Sequence, residues 1–193
     1  MKKRNFEELK ALTFEAGGDY GLNHSQRLIK LVEMIAQGRP YDRGVIEFCA
    51  YVHDFGAFSK YAQAGKDHVV RSMEVLPEIM DGYDFTGEEK KKISETVANH
   101  HKPGVFESFE AVLFRDADAV DFLGVIGIAR DMMRSGKDIN KAVDSIIRHR
   151  EKLPAVLHEE AAKQLAKIRM EETDHFLSRL REEHFLLLPE SEG

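Results

Sequence analysis

The sequence predicts an all-α protein, and three observations carry that prediction. Apolar residues recur three and four positions apart in nearly every segment. The segments open on Asn, Asp or Thr and close on Gly or Pro. No stretch alternates apolar and polar residues as a half-buried strand requires. In order, Phe6, Leu9, Leu12 and Phe14 predict a short helix that Gly17-Gly18 ends. Asn23 is placed to cap a second, whose buried stripe Leu28, Leu31, Val32 and Ile35 includes His24 near the first turn and which stops at Gly38 before Pro40. Residues 43–53 predict a third, with Val45, Phe48, Cys49 and Val52 inward. Asp67 is an expected N-cap for a helix through Val69, Val70, Met73 and Leu76, broken at or near Pro77. Thr86-Gly87-Glu88-Glu89 reads as a capping box for a helix through Ile93, Val97 and His100, closed by Pro103-Gly104. Residues 108–130 predict one long helix with Ala111, Phe114, Asp118, Phe122 and Val125 on one face, and with Gly124 and Gly127 permitting close helix approach. Residues 139–153 and 154–187 complete the set, the last carrying Leu165, Ile168, Phe176, Leu180 and Leu187 on its apolar side.

A chain of 193 residues, 42% hydrophobic and 32% charged, has the composition of one ordinary globular domain. A net charge of -6 argues against a nucleic-acid polymer as partner but leaves room for a small phosphorylated ligand held by a metal and a few local cations. Cys49 is the single cysteine, so no intramolecular disulfide forms, as suits a reducing compartment. The basic start Met1-Lys2-Lys3-Arg4 leads into a mixed run and not an apolar one, and the longest apolar stretches are too short to span a bilayer. The expectation is a cytoplasmic protein with no membrane partner.

Five of the nine histidines lie between His24 and His101. His53-Asp54 stands at the end of an apolar run just before Gly56. In mid-helix two neighbours diverge by about 100°; a helix stopping at a glycine can aim both at one point, and imidazole with carboxylate suits borderline divalent metals. Asp116-Ala117-Asp118-Ala119-Val120-Asp121 sets three acids among Leu113, Phe114, Phe122 and Leu123, a cluster that is costly to bury without cations or hydrogen bonds. Taken singly, each feature has a plain structural reading as a core histidine, a helix cap or a solvated face. His149, His158, His175 and His184, among charges, read as surface residues, Asp116 as bound to solvent or a lysine, and Met132 and Met133 as core filler.

Together these residues resemble the HD-domain superfamily of metal-dependent phosphohydrolases, whose ligands run His, then His-Asp, then a later Asp. His24, His53, Asp54 and Asp118 match that order, and the likeness extends through Asn23-His24-Ser25-Gln26-Arg27, Asp67-His68, His100-His101 and residues 116–130. The resemblance implies a single HD domain over residues 1–193, a helical bundle with its ligand-bearing core at about 20–135 and added C-terminal helices at about 136–188. It implies one divalent transition metal (Mn, Fe, Ni, Co or Zn, with Mg also admitted) and room for a second. A metal-activated water would cleave a phosphoester or phosphoanhydride of a nucleotide or other small phosphorylated metabolite. His68, His100 and His101 are candidates for general acid or second-metal ligands. Asp121 is expected behind the ligands, and Arg27, Lys60, Lys66 and Lys102 are candidate substrate anchors. In the branch resembling 5'-deoxynucleotidases a glutamate stands three residues after the paired Asp, where this chain has Ala57. In the branch resembling cyclic-di-nucleotide phosphodiesterases, extra histidines hold a second metal. The competing expectation is a regulatory or binding module that keeps the fold without turnover, and a homodimer is compatible with either.

Overall fold

The computed structural model describes residues 5–101 and 105–183. They form eight α-helices and no strand: α1 Glu7–Ala36, α2 Arg43–Val52, α3 His68–Met80, α4 Gly87–Asn99, α5 Phe109–Asp121, α6 Gly124–Ser135, α7 Ile139–Lys152 and α8 Glu160–Glu183, with 3-10 turns at Phe55–Ala57 and Leu153–Val156. The all-α expectation holds. None of these helices is long and apolar enough to cross a membrane. The chain divides into two compact units, Met1–Asp118 and Ala119–Gly193.

The caps read from the sequence form as expected. The Asp67 carboxylate accepts from the N–H groups of Val69 at 3.0 Å and Val70 at 3.2 Å. Thr86 and Glu89 exchange hydrogen bonds, Glu89 Oε2 accepting from Thr86 N at 2.8 Å and Thr86 Oγ1 from Glu89 N at 3.3 Å. Asp67→Ala is expected to lower stability by about 1 kcal/mol, read as a lowered chemical-denaturation midpoint, while Asp67→Asn keeps the cap.

Elsewhere local chemistry takes another course. The first two predicted helices form one element, α1, kinked at Gly18 (φ 60, ψ -160), so Asn23 lies inside it and caps nothing. Gly18 ends the first helical stretch as expected, its φ and ψ being non-helical, and a second stretch runs on directly from it, so that the two are counted together as α1. Pro77 does not end α3 either; it removes its own N–H bond, and the chain completes a last turn through Asp81 N to Pro77 O at 3.0 Å. The long helix expected over 108–130 is two helices, because Gly124 at φ 71 turns the chain between α5 and α6. Val125 therefore leaves the face it was assigned and is 66% exposed. In α8 the buried residues are Ala162, Ala166, Thr173 and Leu177, and Ile168, expected inward, is 57% exposed. Met132 packs against the core while Met133 faces solvent. Pro103, Gly104, His184 and Leu187 lie outside the described residues.

In the first unit α2 packs against α1 and α4, and α3 against α4 and the first 3-10 turn. Phe48, Phe55 and Phe114 are fully buried, each contributing roughly 2–3 kcal/mol of apolar burial. The Phe48 ring meets Tyr83 and Phe85 edge-on at 5.3 and 4.9 Å. Cys49 is also fully buried, and burial raises its thiol far above the ordinary range. Thiolate being the reactive form, the native protein is expected to resist an aromatic disulfide reagent until it is unfolded. In the second unit α6 packs on α7 and α8 around Val143, Ile146 and Leu177, with Met132, Phe176 and Leu180 alongside.

Candidate metal centre

Four elements of the first unit bring the sequence-predicted residues together. α1 supplies His24, which is 2% exposed, two turns beyond the Gly18 kink. α2 ends at Val52, one residue before His53 and well before Gly56. The expected stop at the glycine is thus moved: His53 keeps helical φ/ψ, while Asp54 (φ -101, ψ 11) leaves the helix and swings its carboxylate back beside the imidazole. Gly56 has a different role. Its N–H donates to Ser72 Oγ at 2.9 Å, and a Cβ there would lie 2.1 Å from the His68 carbonyl oxygen. Only a bare backbone lets the 3-10 turn reach the start of α3 and set Asp54 beside His68.

α5 is positioned by polar contacts. Glu95 of α4 accepts from the backbone N–H groups of Glu107 and Ser108 and from the Ser108 hydroxyl. Glu110, 4% exposed, accepts from Asp42 N at 2.8 Å and Lys92 Nζ at 3.0 Å. Burial pushes the Glu110 carboxyl up, but the Asp42 N–H and the Lys92 ammonium outweigh it, so the group lies below its usual range. Two turns on, this helix delivers Asp118.

The donor atoms converge. His24 Nε2 lies 3.2 Å from His53 Nε2 and 3.3 Å from Asp118 Oδ1. His53 Nε2 is 3.5 Å from Asp54 Oδ2, which is 4.0 Å from His24 Nε2. Adjacent donors at about 2.0–2.2 Å from one divalent cation stand about 2.8–3.6 Å from each other, a range that the first three of these separations meet. A second group gathers round the other Asp54 oxygen, with His68 Nε2 at 3.7 Å and His100 Nε2 at 3.6 Å; His101 Nδ1 is 3.6 Å from Asp118 Oδ2. Among the described residues two clusters of the type that holds metals emerge: His24, His53 and Asp118, and Asp54, His68, His100 and His101.

Two observations show that this donor set fits a cation. His53 Nδ1 faces the carbonyl of Ala50 at 3.1 Å and His100 Nδ1 that of Val97 at 2.7 Å. Carbonyls only accept, so each ring carries its proton on Nδ1 and turns the Nε2 lone pair into the site. His100 Nε2 and Asp54 Oδ1 then face each other as two acceptors, both buried and without a hydrogen-bond partner; Asp118 Oδ2 is likewise unpartnered. A cation or an added proton resolves such a contact.

The electrostatics agree. Burial pushes the His53 imidazole down to about 3 and His101 to about 4. Burial opposes ionisation of Asp54 and Asp118, but His53, His100 and His24 around the former, and His101 and His24 around the latter, hold both carboxyls well below the usual range. At neutral pH Asp54 and Asp118 are ionised while His53 and His101 are neutral. His53 and His101 titrate near 6.5 when unfolded, so the unfolded chain takes up protons first as pH falls. Metal-stripped protein should therefore lose stability below about pH 6.5, measured by denaturation at stepped pH. Burial lowers the His100 pKa and Asp54 raises it by more, so His100 titrates the other way and offsets part of the loss.

The other predicted residues fall differently. Lys60 pairs with Glu15 at 2.9 Å and Lys66 with Glu74 at 2.7 Å, both near the surface. Lys102 lies outside the described residues. Arg27 is half-buried one turn beyond His24. Asp121 accepts from Arg130 Nη1 at 2.6 Å in the second unit. Asp116 is fully buried, so its expected solvation is corrected. Ala57 is exposed and neither cluster contains a glutamate. His149 is no plain surface residue: its Nδ1 bonds Asp131 at 2.9 Å. Sequence reasoning passed over Arg115, which is 4% exposed in the midst of α5; an arginine following Val112-Leu113-Phe114 was the available signal.

Comparison with known proteins gives consistent findings. The family described as HD domain matches residues 21–123. A crystal structure of an HD-superfamily hydrolase from Bacillus thuringiensis is 22% identical, with a TM-score of 0.66 over 96% of this chain and 100% of that one. Bacillus subtilis YpgQ in complex with ADP is 18% identical, with a TM-score of 0.71 over 97% and 96%. A predicted HD superfamily hydrolase from an uncultured Thermotogales bacterium is 22% identical, with a TM-score of 0.66 over 91% of each chain. Comparison with the curated proteins gives no match.

Proposed function

The chain belongs to the HD-domain family, and from that premise we propose that it is a metal-dependent phosphohydrolase cleaving a phosphoester or phosphoanhydride of a nucleotide or another small phosphorylated metabolite. The observation that carries the reading is the facing pair of buried acceptors, Asp54 Oδ1 and His100 Nε2, inside a set of four histidine-rich ligand positions. The ADP in the YpgQ complex supports a nucleotide among the substrates.

His24, His53, Asp54 and Asp118 are the residues that hold the metal. A divalent cation there supplies the charge that makes a water acidic near neutrality and draws electron density from phosphorus. The protein's own share is orientation and proton handling. Backbone carbonyls fix the His53 and His100 rings, so their Nε2 atoms stay turned inward. Asp54 offers one oxygen to the His24–His53 side and the other to His68 and His100, which gives a second cation or a shared proton its place. The side chains of His68 and His101 are about a third exposed, 34% and 36%, so these two meet an entering substrate. With Ala57 where a glutamate would stand, His68 Nε2 is the group that hands a proton to the leaving oxygen. Arg27 lies on the same side of α1 as His24 and steadies the substrate's phosphate. Lys60 and Lys66 join only after leaving Glu15 and Glu74.

The test is metal analysis of protein purified without chelator, followed by assays on mono-, di-, tri- and cyclic nucleotides and a chromogenic phosphoester with manganese, nickel, cobalt, zinc or magnesium. Stoichiometric metal with turnover of at least one substrate is expected. No bound metal sinks the reading; metal without turnover of any substrate points to a binding module on the same fold.

A further inference from the structure

Arg115 carries a charge that no ion pair of the described residues answers. The residue is 4% exposed and its Nε is buried with no hydrogen-bond partner. Among the described residues no carboxylate forms an ion pair with its guanidinium. Burial lowers its pKa, and the fields of Asp118 and Asp116, which act the other way, do not make up the difference. A buried arginine in this position is costly unless something supplies acceptors. Guanidinium offers five N–H donors in a planar fork matched to the oxygens of carboxylate or phosphate. The residue stands one turn before Asp118 on α5, so it flanks the ligand carboxylate on the same side of that helix. A cation on Asp118 would neutralise the larger of the two fields that now compensate Arg115, which leaves the guanidinium more in need of an anion once metal is present.

We propose that Arg115 is an anion-binding residue of this site, its guanidinium taking the oxygens of a phosphate group on the substrate while the metal ligands hold the cation beside it. The inference rests on the phosphohydrolase reading for the identity of the anion, and it names a phosphate-bearing small molecule as the ligand class. It assigns Arg115 a recognition role that Lys60 and Lys66, tied to glutamates, do not fill.

Inorganic phosphate titrated calorimetrically into the full chain, with and without added manganese, tests it in wild type, Arg115→Gln and Arg115→Lys. Wild type is expected to bind phosphate, more tightly with manganese. Arg115→Gln should bind about 10–100-fold more weakly, the loss of charge-assisted hydrogen bonds, with manganese content unchanged. Arg115→Lys, which keeps the charge but not the fork, should fall in between, and with a turned-over substrate the change should appear in KM more than in kcat. Unchanged phosphate affinity in Arg115→Gln overturns the inference; should that variant not fold, unchanged affinity in Arg115→Lys overturns it. Failure of wild type to bind phosphate also overturns it, even with the metal centre intact. Arginine-dependent phosphate binding in a protein that turns over nothing would instead sink the enzyme reading and leave Arg115 as an anion site.

Discussion

Asp118→Ala is expected to abolish stoichiometric metal binding and to lower turnover by about 10³-fold or more, since bound metal supplies several kcal/mol of transition-state stabilisation. Asp118 is 1% exposed, with one oxygen 3.3 Å from His24 Nε2 and the other unpartnered near His101. Alanine removes both the ligand and the anion that balances the neighbouring histidines. Asp118→Asn separates these effects: it keeps the volume and one acceptor oxygen but not the charge, so it should fold and still lose metal. Metal analysis of both variants beside a steady-state assay reads the outcome. Full activity with full metal in either variant would remove Asp118 from the centre.

Gly56→Ala carries the second large effect, and it acts through the backbone. The added Cβ would sit 2.1 Å from the His68 carbonyl oxygen and 2.7 Å from Ser72 N, which are backbone atoms and not flexible side-chain ends. Overpacking of this kind costs about 3 kcal/mol, a fall of roughly 6–12 °C in Tm for a chain of this size. Because the displaced atoms belong to the start of α3, including His68 itself, which stands beside Asp54, metal affinity should fall along with stability. An alanine at Gly87, where a Cβ meets nothing within 4 Å, serves as the control and should leave metal affinity unchanged.

The ligand-type residues were legible because their chemistry is stated by residue type. A histidine on an apolar stripe, a His-Asp pair and an acid cluster among large apolar residues each cost free energy unless a cation or hydrogen bonds answer them, and Asp116 and Asp118 are indeed buried. Caps were legible for a similar reason, Asp67 and Thr86 acting on N–H groups two or three residues away. Legibility failed where three-dimensional approach decides. Nothing local says that Gly56 faces the α3 backbone, that Gly124 turns the chain at φ 71, or that the buried stripe of α8 runs through Ala162, Ala166 and Thr173. Likewise the ion pairs that occupy Lys60 and Lys66 depend on Glu15 and Glu74, partners that spacing alone does not choose.

Phe58 rests its ring on Gly17 and Gly21, where a Cβ would come within 2.6 and 2.7 Å of it. The strap after Asp54 is thereby latched to the helix that carries His24 by a hydrophobic contact independent of any ion. Two of the elements that carry the clustered donors are thus joined by packing alone, at a contact that needs no cation. Stripping any bound cation should then leave the contact of Phe58 with Gly17 and Gly21 in place, so that loss of the ion is not by itself an unfolding event.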